Sequence, residues 1–424
     1  MKKVLTIFST VVIFLFILSL FGWTVYQISE KNKRFGFLTE PIKFIYTFPD
    51  LFKRSVEEVK GLPETFIPTD KEFKPINKLE EDVYVLTSYS DTGMYRSIVV
   101  RNLKNDSVLH KWTVKNPHDE ITRIFHPLYL SDGSLVYYFG YRWSPMRRID
   151  ASGNVIWKQD QFIFHHGMDL NKEGDIWACA REGDSNSGMC KIENRTVFFV
   201  DNIITKIDIE TGEVLYHKSI SELLKENNLA NYILKAPAIA DPIHLNDIQP
   251  AFKSTDYYEE DDVFLSLRSL SCIIHYRPSS NKVVKIIEGP FVNQHDVDFL
   301  NDYTLAIFNN NFYSGDFYGT GEAPADSSKL IDMGDFYSNI VTYDLRNGKF
   351  SFIGDSIFRA NKIYTKSEGL QIFIDPKTYF VEEQNSGLLW IIRDDEVIYK
   401  NVFKSQHEGY HHLPNWTRII KHYE

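Results

Sequence analysis

Arg148-Ile149-Asp150-Ala151-Ser152-Gly153-Asn154-Val155-Ile156-Trp157 reads as a short strand, a turn of small polar residues and a returning apolar strand. Ser, Gly and Asn supply the turn conformations, and the β-branched and aromatic flanks suit a pleated surface. The same hairpin recurs along the chain. It returns as Val99–Leu103 with Val108–Trp112, Lys206–Ile209 with Val214–Tyr216, and Ile274–Tyr276 with Val283-Val284. Thr342–Leu345 running into Asn347-Gly348 is another copy, and Trp390–Ile392 with Val397–Tyr399 is a weaker sixth. A second element sits between these hairpins, an apolar strand often holding one Asp. Examples are Met168-Asp169-Leu170 before Glu173-Gly174 and Val297-Asp298-Phe299 before Asn301-Asp302. Four-stranded units repeating every ~50 residues are the signature of propeller blades. The fold class expected is therefore all-β, a six-bladed β-propeller following an N-terminal transmembrane helix.

Composition agrees with a strand-rich globular protein. Aromatic residues make up 15% of the 424 residues, a load that fits half-buried pleated surfaces. The net charge of -10 argues against a nucleic-acid partner, which calls for a basic face. It leaves an anionic small substrate open, because a few local cations outweigh a net sum.

Residues 4–29 carry no charge and are mostly Val, Ile, Leu and Phe. About 20 apolar residues cross a bilayer as a helix. No small-x-small cleavage site follows, so the segment is read as an uncleaved signal anchor. Lys2 and Lys3 precede it and Lys31, Lys33 and Arg34 follow it, so charge alone does not orient it. The short tail ahead of a single anchor places the bulk of the chain outside the cytoplasm, on the periplasmic or extracellular side. The expected organisation is an anchor over 1–35, a membrane-proximal connector over 36–78 and the propeller over 79–424. In the connector, Phe44, Phe48, Leu51, Phe52 and Val56 recur at helical spacing around Pro49. A short helix opening at Ser219 or Ser221 is expected within the propeller. Cys179 and Cys190 are near enough in sequence to close a small loop, which would leave Cys272 over.

The second element also carries the chemistry. Aligned by its strand, it reads His166-Gly167-Met168-Asp169-Leu170, His244-Leu245-Asn246-Asp247-Ile248 and His295-Asp296-Val297-Asp298-Phe299. His126 occupies the same place before Pro127-Leu128-Tyr129-Leu130. Innermost strands of a propeller line its central channel, so one register forms a ring. Residues 126, 166, 244 and 295 are thus expected to converge at one channel mouth. The bland alternative is that each His bonds its own Asp three residues on. Asn246 shares a strand face with His244. Arg268 ends the apolar strand Val263–Leu267, a costly place for a cation without an anion or carboxylate beside it. Its bland partner would be Asp247 or Asp296. His407–His412 is expected to close the last blade against the first.

The run His165-His166-Gly167-Met168-Asp169, then Asp241-Pro242-Ile243-His244-Leu245-Asn246, then Ser266-Leu267-Arg268-Ser269, then Asn293-Gln294-His295-Asp296 resembles the arylsulfotransferase family. The resemblance spans roughly residues 80–400. It implies a six-bladed propeller that moves a sulfuryl group from an aryl sulfate to a phenol through a sulfohistidine, with no nucleotide sulfate donor and no cofactor. By the resemblance, His295 is the nucleophile, and Arg268, His244 and Asn246 hold the sulfuryl oxygens. His166 or its neighbour His165 is the fourth polar contact. Asp296 or Asp298 then orients the His295 ring, and Asp296 counts among the substrate-binding groups. Phe164, Phe291, Tyr313 and Trp143 are candidates for stacking on an aryl ring.

Two other classes stay open. The same histidines with Asp298 or Asp169 suit a metal enzyme, although Arg268 counts against a cation. A non-catalytic membrane-anchored propeller scaffold is the second. Oligomeric state and the identities of donor and acceptor are not legible in the sequence.

Overall fold

The computed structural model describes residues 2–29, 41–42, 45, 62–92, 94–119, 121–140, 142–183, 187–237, 240–312 and 336–420. Lys31, Lys33, Arg34, Phe44, Phe48, Leu51, Phe52, Val56 and Tyr313 lie outside these residues. The chain divides into Met1–Pro63 and Glu64–Glu424.

In the first unit, Lys2–Ser29 is one helix, and its Phe8–Gln27 stretch is long and apolar enough to cross a membrane. Two of its hydroxyls bond within the helix: Thr10 Oγ1 donates to Thr6 O at 2.9 Å and Thr24 Oγ1 to Leu20 O at 2.8 Å. Such back-bonding removes the cost of a bare hydroxyl in hydrocarbon.

The second unit is a six-bladed β-propeller. Blade 1 joins Arg418–Ile420 to Tyr84–Thr92, Tyr95–Asn102 and Ser107–Lys115. Blade 2 is Leu128–Tyr129, Leu135–Tyr137, Met146–Ile149 and Val155–Gln159. Blade 3 is Ile163–Leu170, Ile176–Arg181, Ile203–Ile207 and Val214–Ser219, and blade 4 is Leu245–Pro250, Val263–Leu267, Cys272–Arg277 and Lys282–Glu288. Blade 5 is His295–Asn301, Thr304–Asn309, Asn339–Asp344 and Lys349–Ile353. Blade 6 is Leu370–Asp375, Thr378–Glu383, Leu388–Arg393 and Glu396–Asn401, with Ile76–Asn77 added at its outer edge. All pairings are antiparallel, and the first-named strands of blades 3, 4, 5, 6 and 1 touch in succession around the channel.

Burial follows from this layering. Middle strands lie between neighbouring blades, so Val263–Leu267 is buried at every residue. Each of its four apolar side chains taken from water contributes roughly 1.5–3 kcal/mol. Outer strands keep one face in solvent, as the mixed burial of Ser107–Lys115 shows.

Ring closure departs from expectation. Tyr410–His412 pairs with Phe66–Pro68 outside the blades, and the closing strand is Arg418–Ile420, the innermost strand of blade 1. Ile76–Asn77 joins blade 6, and Phe66–Pro68 pairs with Tyr410–His412, although both segments fall within the stretch read as connector. The sequence pattern showed only hairpins, and these short segments pair at long range. The expected helix is Ile220–Glu226, capped by Ser219, whose hydroxyl accepts from Glu222 N–H. Cys179, Cys190 and Cys272 are all free, and Cys179 lies buried in blade 3.

Candidate functional site

The innermost strands begin with a sharp turn onto the channel wall. His126, His166 and His244 adopt left-handed backbone, with φ of 46°, 56° and 48°. Asp296, Glu368 and Trp416 do the same in blades 5, 6 and 1, with φ of 54°, 58° and 54°. The left-handed residue of blade 5 is therefore Asp296, one position past His295. Bulges between Phe164 and Met168, Leu245 and Asp247, and His295 and Val297 accompany these turns. A bulge re-aims the side chain beside it.

Three histidines converge. His166, His244 and His295 each place one ring nitrogen within 4.8 Å of the others. The His166 ring centroid lies 5.0 Å from that of His244 and 6.0 Å from that of His295. His126 does not join them. It meets Trp416 edge-on at 5.2 Å, and Trp416, fully buried, packs 5.8 Å from His166 and 6.3 Å from His295. The indole fills the space that a fourth imidazole was expected to share.

Each ring is held from behind through Nδ1. His295 Nδ1 lies 2.7 Å from Asn310 Oδ1. Asn310 Nδ2 donates to Thr365 O at 2.9 Å and to Glu368 O at 2.6 Å, so its oxygen must face the imidazole. His295 therefore carries its proton on Nδ1 and its lone pair on Nε2, which accepts from the Glu368 N–H at 3.2 Å. His244 Nδ1 lies 2.5 Å from Asp241 Oδ2. His166 Nδ1 lies 2.9 Å from His165 Nδ1, and Tyr138 donates its hydroxyl to His166 O.

Burial sets the charge state. It drives the His295 pKa well below its ordinary value, with the Arg268 guanidinium adding to the effect. Burial, then the charges of His244, His165 and His295, act likewise on His166. His165 is pushed down to about 3 by burial, then by His244 and Arg181. Burial alone would raise the Asp241 carboxyl. The hydrogen bond and charge of His244, with His165 and Arg268, hold it below its usual range. The site thus presents neutral rings at His165, His166 and His295, an ionised carboxylate at Asp241 and a nearby cation.

The other expected residues lie around this cluster in different roles. Arg268 opens a short 3₁₀ turn after Val263–Leu267, and its N–H donates to His244 O at 3.0 Å. Asn246 is buried and donates through Nδ2 to Gln294 O at 2.8 Å, supporting the backbone just before His295. Asp296 does not orient the His295 ring; its carboxylate accepts from Gln371 N–H at 2.9 Å, in blade 6. Asn310 does the orienting instead. The in-strand acids do not bond the histidine three residues back. Asp247 accepts from Val297 N–H at 2.8 Å, and Asp169 pairs with Arg418 at 2.7 Å. Phe164 and Phe291 are core residues, and Trp143 is exposed.

Asn310, Asp241, Trp416 and the Glu368 N–H were not singled out from sequence. Asp241, three residues before His244, left a local signal. Asn310 follows the strand paired with that of His295 within blade 5, and Trp416 and Glu368 come from other blades. The three clustered nitrogens are close enough to ligate one ion, with Asp241 behind His244 as metal sites favour. The Arg268 charge beside them opposes a cation.

The model of the arylsulfotransferase (ASST) family matches residues 126–400. The chain belongs to the arylsulfotransferase family. Membership supports an aryl sulfotransferase-type function in general, and the matched span contains His166, His244, Arg268 and His295. No curated protein matches the chain. Among solved structures it is similar to a protein of unknown function from Bacteroides caccae, at 9% identity over 81% of this chain and 100% of that one, with a TM-score of 0.51. It is also similar to virginiamycin B lyase from Staphylococcus aureus, at 9% identity over 81% of this chain and 89% of that one, with a TM-score of 0.40. At such identity the first likeness shows the fold alone.

Proposed function

We propose that this arylsulfotransferase moves a sulfuryl group from an aryl sulfate ester to a phenol through a sulfohistidine on Nε2 of His295. The observation that carries the reading is the Asn310–His295 hydrogen bond, because it fixes the tautomer whose Nε2 lone pair is the nucleophile. Nε2 gives up the Glu368 N–H and attacks sulfur, the sulfur–oxygen bond to the aryl group breaks, and its electron pair leaves on the phenolate oxygen. The proton stays on Nδ1, hydrogen-bonded to Asn310 Oδ1 throughout, as an oriented base is held in a triad. Arg268 supplies charge to the sulfuryl oxygens, a transfer governed by positioning and electrostatics. His244, backed by Asp241, gives the leaving oxygen a proton and takes one from the incoming phenol. The phenol then attacks sulfur, the nitrogen–sulfur bond breaks, and the lone pair returns to Nε2. His166, positioned by His165, completes the polar wall, and Asn246 and Asp296 support it through the backbone. The N-terminal helix serves as a single-pass anchor with the propeller outside the cytoplasm.

The test uses the full chain in detergent with a chromogenic aryl sulfate, a phenol acceptor and His295→Ala beside the wild type. Acceptor-dependent phenol release that disappears in His295→Ala, with one sulfuryl group trapped on the wild-type chain, is the expected result. Release unaffected by the substitution would sink the nucleophile assignment. A second reading, a histidine-ligated metal enzyme, draws on the clustering of the three nitrogens. Stoichiometric metal retained by the purified chain, with activity lost on chelation, would favour it.

A further inference from the structure

Beside the histidine cluster is a small cavity of about 30 Å³ lined by His165, His166, Arg181, Asn202, Asp241 and His244, but by neither Arg268 nor His295. Arg268 does not line it, and its charge acts on His295, where sulfur is transferred, and on His166 and Asp241. Arg181, the last residue of the strand Ile176–Arg181, lines this cavity and acts on His165. Asn202 joins Arg181 there. Its Oδ1 accepts from Leu245 N–H at 2.9 Å, which turns its Nδ2 the other way. That nitrogen is buried without a hydrogen-bond partner among the described residues, in a side chain only 2% exposed. A buried amide donor left unmatched is costly, so a site that keeps one is built for an acceptor atom. The cavity also holds the Asp241–His244 pair, the one imidazole of the cluster backed by a carboxylate.

We propose that Arg181 and Asn202 bind the aryl oxygen, both of the leaving phenolate and of the incoming phenol, so that this cavity is the phenol-oxygen subsite. The inference rests on the sulfuryl-transfer reading above. Its chemistry is set by balance. When the sulfur–oxygen bond breaks, the electron pair goes to the aryl oxygen, and the proton that quenches it comes from His244. The oxygen must therefore lie against His244. A fixed cation and an amide donor at that point stabilise the charge while it exists. The second half-reaction runs the same path backwards, so the incoming phenol meets the same groups. The cavity's size admits a single oxygen-sized group and leaves the aromatic ring outside it. The substrate class is thus any phenol whose oxygen reaches His244, with Arg181 favouring phenols that are reluctant to ionise.

A series of aryl sulfates differing in the acidity of the released phenol tests this, with the full chain in detergent and Arg181→Gln and Asn202→Asp beside it. Asn202→Asp keeps the oxygen that Leu245 N–H needs and removes the amide donor. The expected result is a loss that grows as the released phenol becomes less acidic, from slight with 4-nitrophenyl sulfate to roughly ten- to a hundredfold with phenyl sulfate. Arg181→Lys should recover part of it. Losses of equal size across the series, in variants that melt like the wild type, would overturn the assignment, because a group that only shapes the site or holds sulfuryl oxygens does not sense phenol acidity. A wild-type chain inactive on every donor is a separate result and would overturn the sulfuryl-transfer reading beneath it.

Discussion

The chemistry of His295 is decided by a residue fifteen positions away, Asn310, whose amide is itself locked by two carbonyls. Replacing Asn310 with Leu removes the acceptor that keeps the proton on Nδ1, and the ring is free to present the wrong tautomer. A loss in kcat of roughly 100-fold is expected, with substrate binding little changed, read by steady-state kinetics. The direction of the His295 shift gives a second prediction. In the proposed mechanism the nucleophile is the neutral ring, and burial with Arg268 holds its pKa below the ordinary 6.5. The neutral form then persists as pH falls, so the acid limb of kcat/KM should lie below pH 6.5. Arg268→Gln removes the charge that opposes protonation, and its acid limb should move up in pH while its maximum drops. A limb at the same pH in both chains would contradict this electrostatic account.

At the scale of the strand, the three aligned histidines were legible because the pattern His-x-x-Asp-apolar repeats. Their left-handed backbone was not. His, Asn and Asp tolerate positive φ far better than β-branched residues, which helps explain what sits at positions 126, 166, 244 and 296. His126 isolates this effect, since it stands outside the cluster of three. His126→Val should cost about 1–2 kcal/mol more than His126→Asn in urea unfolding. Equal costs would mean that side-chain packing on Trp416, not backbone strain, dominates there. The strand after His126 pairs without such a bulge, and strand alignment placed His126 in a ring from which the Trp416 indole, carried in just before the closing strand, keeps it.

At the scale of the whole molecule, the blades are stitched by buried carboxylates accepting backbone N–H groups from the next blade. Glu382 is the stitch at the closure, accepting from Trp416 N–H at 2.8 Å and Thr417 N–H at 3.0 Å. Burial pushes its pKa up to about 7, against the hydrogen bonds that lower it. A raised acid binds its proton more tightly in the fold, so its stabilisation is present below the unfolded value of ~4.3 and is lost as pH rises through about 7. Glu382→Gln lacks this titration. Its thermal midpoint relative to wild type should therefore rise between pH 5 and pH 8; a constant difference would show that Glu382 does not titrate in that window. The sequence by itself determined the β-propeller, its six hairpins, the apolar N-terminal helix and the histidines of the innermost strands, because those follow from local periodicity and turn chemistry. Only the tertiary structure decided the closing strand Arg418–Ile420, the partnership of Asn310 with His295, the exclusion of His126 by Trp416, and the pairing of Arg181 with Asn202 in one cavity. The first joins strands from the two ends of the propeller sequence, the third joins residues from different blades, the other two join neighbouring strands of one blade, and all four rest on hydrogen-bond geometry and burial that exist only in the folded ring.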